Sequence, residues 1–195
     1  MNRTEKAAET MNALYGEASI GLTASDPEFA AIKERLIYGE VYAEEKLSAK
    51  LRELVILVVA ATNQTMNEVK RHTAAALVVG VKPEEIREAI YHCAPYIGLG
   101  KAENAVNVVN EVFAEKGVAL PLESGQTVTE ESRLSDGIAA QKSIFGEHID
   151  AMRAAAPENQ KNIQDYLSAY CFGDFYTRKF LTIPERELLT FAILA

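Results

Sequence analysis

The segment Ser48-Ala-Lys-Leu-Arg-Glu-Leu54 returns as Thr182-Ile-Pro-Glu-Arg-Glu-Leu188, an offset of 134 positions. Gly39-Glu-Val-Tyr42 returns at the same offset as Gly173-Asp-Phe-Tyr176. Further upstream, Tyr15-Gly-Glu17 and Asp26-Pro-Glu28 return as Phe145-Gly-Glu147 and Ala156-Pro-Glu158, here at an offset of 130. One echo is chance, but four in the same order read as an internal repeat, which restricts the fold to two related units and a connection. The four extra residues of the second copy amount to about one helical turn. This reading gives a first unit over 1–116, a link over 117–131 and a partial second unit over 132–195. Counterparts of Thr65, Glu68 and His72 would fall past Ala195, so either the second copy is reduced to a packing element or, as is expected, the chain is a fragment of a longer two-repeat protein.

The local signals are helical. Ser48 and Thr182 have the chemistry of N-caps, and Thr182-Ile-Pro-Glu185 has the form of a capping box. The apolar run from Leu54 to Ala61 is rich in β-branched residues, and its periodicity alone does not separate strand from helix. The cap before it, and the copy from Leu188 to Ala195, favour a helix buried on all sides. Gly80 ends the helix that carries His72, and Pro83 with two acids opens the next. Ala102, Ala105, Val106, Val109, Val112 and Phe113 fall at helical spacing before Gly117. Gly98-Leu-Gly100 lacks a Gly-rich strand-to-helix context and reads as a helix-ending turn, not a phosphate loop. The expected class is all-α.

A net charge of −8 and a pI near 5.0 oppose a nucleic-acid partner, which needs a basic face. The eight-residue apolar run is far too short to span a bilayer. The segment Met1–Lys6 has no apolar leader character, so a cytoplasmic protein without a membrane partner is expected. Cys93 and Cys171 form no Cys-x-x-Cys pair and read as two buried small apolar residues. His92 beside Cys93 leaves a reactive thiol as the minor alternative.

Glu68 and His72 are four residues apart and share one helix face. A short polar turn, Thr62-Asn-Gln64, would bring Glu53 of the preceding helix toward that face if the two helices run antiparallel. Histidine is the side chain most readily tuned for proton transfer near neutral pH, and a carboxylate partner fixes its tautomer and raises its basicity. Two carboxylates beside one histidine also repel, leaving one as an acid. The plain alternative is a helix-supporting surface pair. His92 and Tyr96 are likewise four apart and could line one pocket, or serve as a half-buried histidine and an interface tyrosine. His148 has no partner spacing and reads as surface. Glu53, Glu68, His72 and His92 are legitimate metal ligands, but no strict ligand motif joins them, so no metal is expected.

These residues carry a resemblance. Leu47-Ser-x-Lys-x-Arg-Glu53, the apolar run, the polar turn and His72 are followed by Ala76-Leu-Val-Val-Gly-Val-x-Pro-Glu-Glu-Ile-Arg-Glu88 and His92-x-x-x-Tyr96-x-Gly98. Over about residues 36–113, with a partial second copy, this resembles the carboxymuconolactone decarboxylase family of the alkylhydroperoxidase D-like superfamily. The resemblance implies a helical bundle and a homo-oligomer, trimer or hexamer, with sites near subunit contacts and a small-molecule substrate. In the redox branch an upstream Glu precedes Cys-x-x-Cys and then a His four residues on. Here Thr65 and Glu68 stand at the two cysteine positions, while Glu53 and His72 remain. The implied activity is therefore a lyase of aromatic compound degradation, removing CO2 from an unsaturated carboxylated lactone without metal or organic cofactor. His72 is the implied general acid, Glu68 orients it, and Glu53 completes a relay or holds substrate. Thr65, His92 and Tyr96 are the implied substrate contacts. Two other readings stand beside it: an antioxidant activity of the alkylhydroperoxidase D-like, peroxiredoxin kind, for which the nucleophilic thiols are missing, and a non-catalytic oligomeric binding protein.

Overall fold

The computed structural model describes residues 1–17, 23–44 and 46–195, and among them every regular element is helical. Helix α1 (Arg3–Tyr15) starts where Asn2 accepts the Thr4 and Glu5 amides while Glu5 returns to the Asn2 amide. That exchange satisfies amides the first turn would otherwise leave open. Helix α2 (Pro27–Glu34) runs on into a π-helical stretch, Arg35–Val41. Then come α3 (Ala49–Thr62), α4 (Met66–Val78), α5 (Pro83–Ile97) and α6 (Leu99–Glu115). Helix α7 (Arg133–Phe145) opens the second half, followed by α8 (His148–Ala154) and α9 (Lys161–Tyr166). A second π-helical stretch, Leu167–Tyr176, continues α9 before α10 (Ile183–Leu194) closes the chain.

The main core lies where α3, α4, α5, α6 and α10 meet. Leu57, Val58, Ile86, Ile90, Phe113 and Leu189 are fully buried there. Each such side chain stabilises the fold by about 1.5–3 kcal/mol through apolar burial. The shape of each half is set by a glycine. Gly39 sits against the Arg3 carbonyl of α1, and Gly173 sits against the Arg133 carbonyl of α7. Only a residue without Cβ permits that approach, so α1 and α7 each cross a π-helical stretch at backbone distance. An ion pair flanks each crossing, Arg3 with Glu40 at 2.8 Å and Arg133 Nε with Asp174 at 2.8 Å.

The long apolar helices depart from the expectation of burial on all sides. On α3, Leu57 and Val58 are fully buried, but Val59 is 37% exposed and Val55 and Ile56 are partly open. The covering helices reach one side of α3 only, and the other side borders a cavity. On α10, Leu189 is buried while Phe191 is 70% and Leu194 68% exposed. The link also packs more closely than loop composition suggests. The Gly125 carbonyl accepts the Lys179 amide at 2.9 Å, Thr127 donates to the Thr177 carbonyl at 2.9 Å, and Val128 is buried.

Candidate active site

Ser48 starts α3 by accepting the Leu51 amide at 3.2 Å, and this places Glu53 in the second turn. A tight turn with Gln64 at φ 57 then reverses the chain into α4. The Gln64 side chain bonds the Ala61 and Lys101 carbonyls and fixes that turn. The reversal sets His72 of α4 against Glu53 of α3, and both are nearly without solvent contact.

The Nδ1 of His72 lies 2.8 Å from Glu53 Oε2. The carboxylate can only accept, so Nδ1 carries the proton and donates. The other Glu53 oxygen accepts a hydrogen bond from the Tyr42 hydroxyl. Burial and the Glu53 charge push the Tyr42 phenol far above its ordinary value, so it remains a donor. With Nδ1 committed to Glu53, His72 Nε2 is the nitrogen left for chemistry. It lies 3.8 Å from Glu68 Oε2.

Glu68 is held elsewhere. Lys33 Nζ lies 2.6 Å from one of its oxygens and Arg71 Nη1 3.0 Å from the other. Burial alone would raise the Glu68 carboxyl, but the Lys33 hydrogen bond and the charges of Arg71, Lys33 and His72 outweigh it, and the group stays below the usual carboxylate range. The residue that orients His72 by contact is therefore Glu53, where the four-residue spacing had suggested Glu68. Two cations draw Glu68 aside. Tyr42, Lys33 and Arg52 were not singled out from the sequence. Tyr42 had a signal, because it closes the echoed Gly39–Tyr42 segment and keeps the same offset as Glu53.

His72, Glu68, Tyr42 and Thr65 line a cavity of about 740 Å³. Its walls are apolar, from Ile37, Val41, Val55, Ile56 and Val59; Lys33 and Lys46 are paired there with Glu68 and Glu44, and Arg52 adds a further positive charge. Arg52 lies 4.8 Å over the Tyr42 ring and donates to the Leu47 carbonyl, which holds it at the rim. A small organic anion suits such a space: cations draw it in and apolar walls strip its water. Thr65 donates to the Ala60 carbonyl at 3.2 Å and caps no amide of α4.

His92 and Tyr96 do not join this group. His92 is fully buried on α5 and packs against α10, with Nε2 3.1 Å from the Arg186 carbonyl and 2.9 Å from Thr190 Oγ1. Its Nδ1 has no partner. Burial first, then the Arg186 charge, lower His92 to about 3, so it is neutral. Tyr96 shares hydroxyl contacts with Tyr176 and Thr190, both at 3.0 Å, and lines a separate cavity of about 410 Å³ with Glu187. His92 is thus set apart from Glu53, Glu68 and His72, and no metal-binding group of three or more His, Cys, Asp or Glu occurs among the described residues. Cys93 and Cys171 are both free and buried, and burial pushes their thiols up to about 12 and about 11. His148 is exposed. Among the described residues no helix is long and apolar enough to cross a membrane.

Residues 27–111 match the model of the carboxymuconolactone decarboxylase family. That span contains Tyr42, Glu53, Thr65, Glu68 and His72. A similar curated protein is the 4-carboxymuconolactone decarboxylase of Acinetobacter baylyi, 28% identical over 122 residues, which cover 60% of this chain and 91% of that protein.

Proposed function

We propose that this chain, which matches the carboxymuconolactone decarboxylase family model over residues 27–111, is a carboxy-lyase that protonates carbon from His72. The observation that carries this reading is the 2.8 Å bond from His72 Nδ1 to buried Glu53, which leaves Nε2 on a cavity with apolar walls and a basic rim. The name of the Acinetobacter relative suggests the substrate class, an unsaturated lactone bearing a carboxylate.

The chemistry needs only groups that line or adjoin the cavity. Arg52 at the rim attracts the anionic substrate, and the apolar walls desolvate its carboxylate, which favours loss of neutral CO2. The carbon–carboxyl bond breaks and its electron pair passes into the lactone carbonyl as an enolate. His72, protonated on both nitrogens, then gives the Nε2 proton to carbon. The Glu53 carboxylate steadies the imidazolium beforehand, and Tyr42 holds Glu53 in place. His72 regains its proton from solvent. Glu68, fixed by Lys33 and Arg71, keeps a negative charge 3.8 Å from Nε2. The buried thiols of Cys93 and Cys171 give no support to the peroxidase reading.

The protein is a homo-oligomer in this reading, with the exposed apolar residues Phe29, Ile32, Leu36 and Val41 supplying contact surface. Light scattering on the purified protein measures this directly.

The test is release of CO2 from gamma-carboxymuconolactone, run beside His72→Ala with its helicity checked by circular dichroism. Turnover in the parent and a loss of about 10²–10⁴-fold in the variant are expected. A folded His72→Ala protein with undiminished turnover would remove His72 from the mechanism.

A further inference from the structure

Away from His72, the seam between α5, the link and the start of α10 holds an uneven set of charges. Glu88 is fully buried, and three guanidinium groups converge on its one carboxylate. Arg178 binds it through two nitrogens at 2.7 and 2.9 Å, Arg87 through one at 3.2 Å, and Arg186 approaches to 3.5 Å. One negative charge therefore answers three positive ones in a region with little water. Donors are left over as well: Arg87 Nε, Arg186 Nε and Arg186 Nη1 are buried and have no partner. Buried N–H groups without acceptors are costly, and a surplus of buried charge more so.

A cavity of about 540 Å³ opens on this cluster. Arg87, Arg178 and Tyr91 line it, the Tyr91 ring centroid lying 5.8 and 5.2 Å from the two guanidinium carbons. Asn110 and Ser124 add polar groups and Leu122 an apolar wall. Arg178 reaches Glu88 through Nε and Nη2 and Arg87 through Nη2, so neither uses Nη1 on the carboxylate. The link closes the cluster at Gly125, where a Cβ would meet Glu88 Oε1 at 2.6 Å and Arg178 Nη2 at 3.2 Å.

We infer that this cavity is a second binding site, taking a small oxyanion, a phosphate or carboxylate group, between Arg87 and Arg178. Planar guanidinium forks match the oxygens of such groups, and the anion corrects the charge imbalance around Glu88. Asn110 and Ser124 supply further donors. The site shares no lining residue with the His72 cavity, so its occupant need not be the substrate.

Two probes, inorganic phosphate and benzoate, distinguish the sources. Each is titrated by calorimetry and by thermal melting against sodium chloride at equal ionic strength. A saturable response, with a rise of a few degrees in the melting midpoint, is expected from at least one. Phosphate alone assigns a phosphoryl ligand and benzoate alone a carboxylate. Arg87→Met should weaken binding at least tenfold. Asn110→Leu, which cuts no ion pair, should weaken it several-fold and serves if Arg87→Met fails to fold. His72→Ala should leave the response intact, which separates this site from the His72 cavity. No saturable response to either probe, or equal responses in the parent and Asn110→Leu, would overturn the assignment.

Discussion

The two halves of the molecule set the same pair of side chains in different surroundings. Tyr42 donates to Glu53 in the first half, and Tyr176 donates to Glu187 at 2.6 Å in the second. Edge-on aromatic contacts accompany both, Tyr15 with Tyr38 and Phe145 with Phe172. What differs is the histidine. His72 reaches Glu53 from α4, so an ionisable ring lies between a buried carboxylate and a cavity. His92 reaches the second pair from α5 and bonds Thr190 and a backbone carbonyl, with no carboxylate on either nitrogen. A Tyr–Glu pair is thus a structural device of this scaffold. In the proposed mechanism, proton transfer needs a third group whose charge the pair can stabilise.

The strongest way to break that contrast is to neutralise each carboxylate in turn. Glu53→Gln should lower decarboxylation by about 10²–10⁴-fold, the usual weight of positioned acid–base catalysis. Glu187→Gln should leave it within about twofold. Equal losses in steady-state turnover would mean that Glu53 serves only the fold.

Next in size is the titration of His92. Its folded value near 3 lies below the ordinary 6.5, so between those values the unfolded chain holds the extra proton. Its contribution is fully present above pH 6.5 and is lost as pH falls through 3, by on the order of 5 kcal/mol at most. Urea unfolding from pH 7 to 4 should show this decline, and His92→Gln should flatten it. A decline of unchanged steepness in His92→Gln would place the acid sensitivity elsewhere.

The sequence made much of this arrangement legible, and the reasons are specific. Gly39 and Gly173, Tyr42 and Tyr176, Glu53 and Glu187 all lie in the echoed segments, and each pair makes matching contacts. Echo and capping signals are local, so they survive in a linear reading. The carboxylate that holds His72 was not legible, because helical spacing favours Glu68 and only the packed structure shows Lys33 and Arg71 claiming it. The cavity was hidden for a related reason. An unbroken apolar run looks the same whether its outer side meets a helix or a ligand space, so Val55 and Val59 read as core. His92 and Tyr96 could not be separated from the site by spacing, since their partners Thr190 and Tyr176 are 80 or more residues away.

A smaller effect tests whether the halves are built alike. Gly39→Ala and Gly173→Ala each drive a methyl into a carbonyl of the crossing helix, and should destabilise the fold by about 1–3 kcal/mol. Similar shifts in the urea midpoint are expected. Because Gly39 lies three residues from Tyr42, its variant should also lower turnover, while the Gly173 variant should not.

The smallest effect concerns the charge that only the first half carries. Lys33 and Glu68 are each about a third exposed, so solvent screening limits their pair to about 0.5–1 kcal/mol. The folded Glu68 value is lowered, so this stabilisation is present above the unfolded carboxylate value and is lost as pH falls through the folded one. Lys33→Met should therefore destabilise slightly at pH 7, less in high salt, and not at all once Glu68 is protonated. The same substitution should let Glu68 rise toward its ordinary value and move the acid limb of the turnover profile upward. A stability loss that persists at low pH would show that the Lys33 stem, and not its charge, supports the cavity wall.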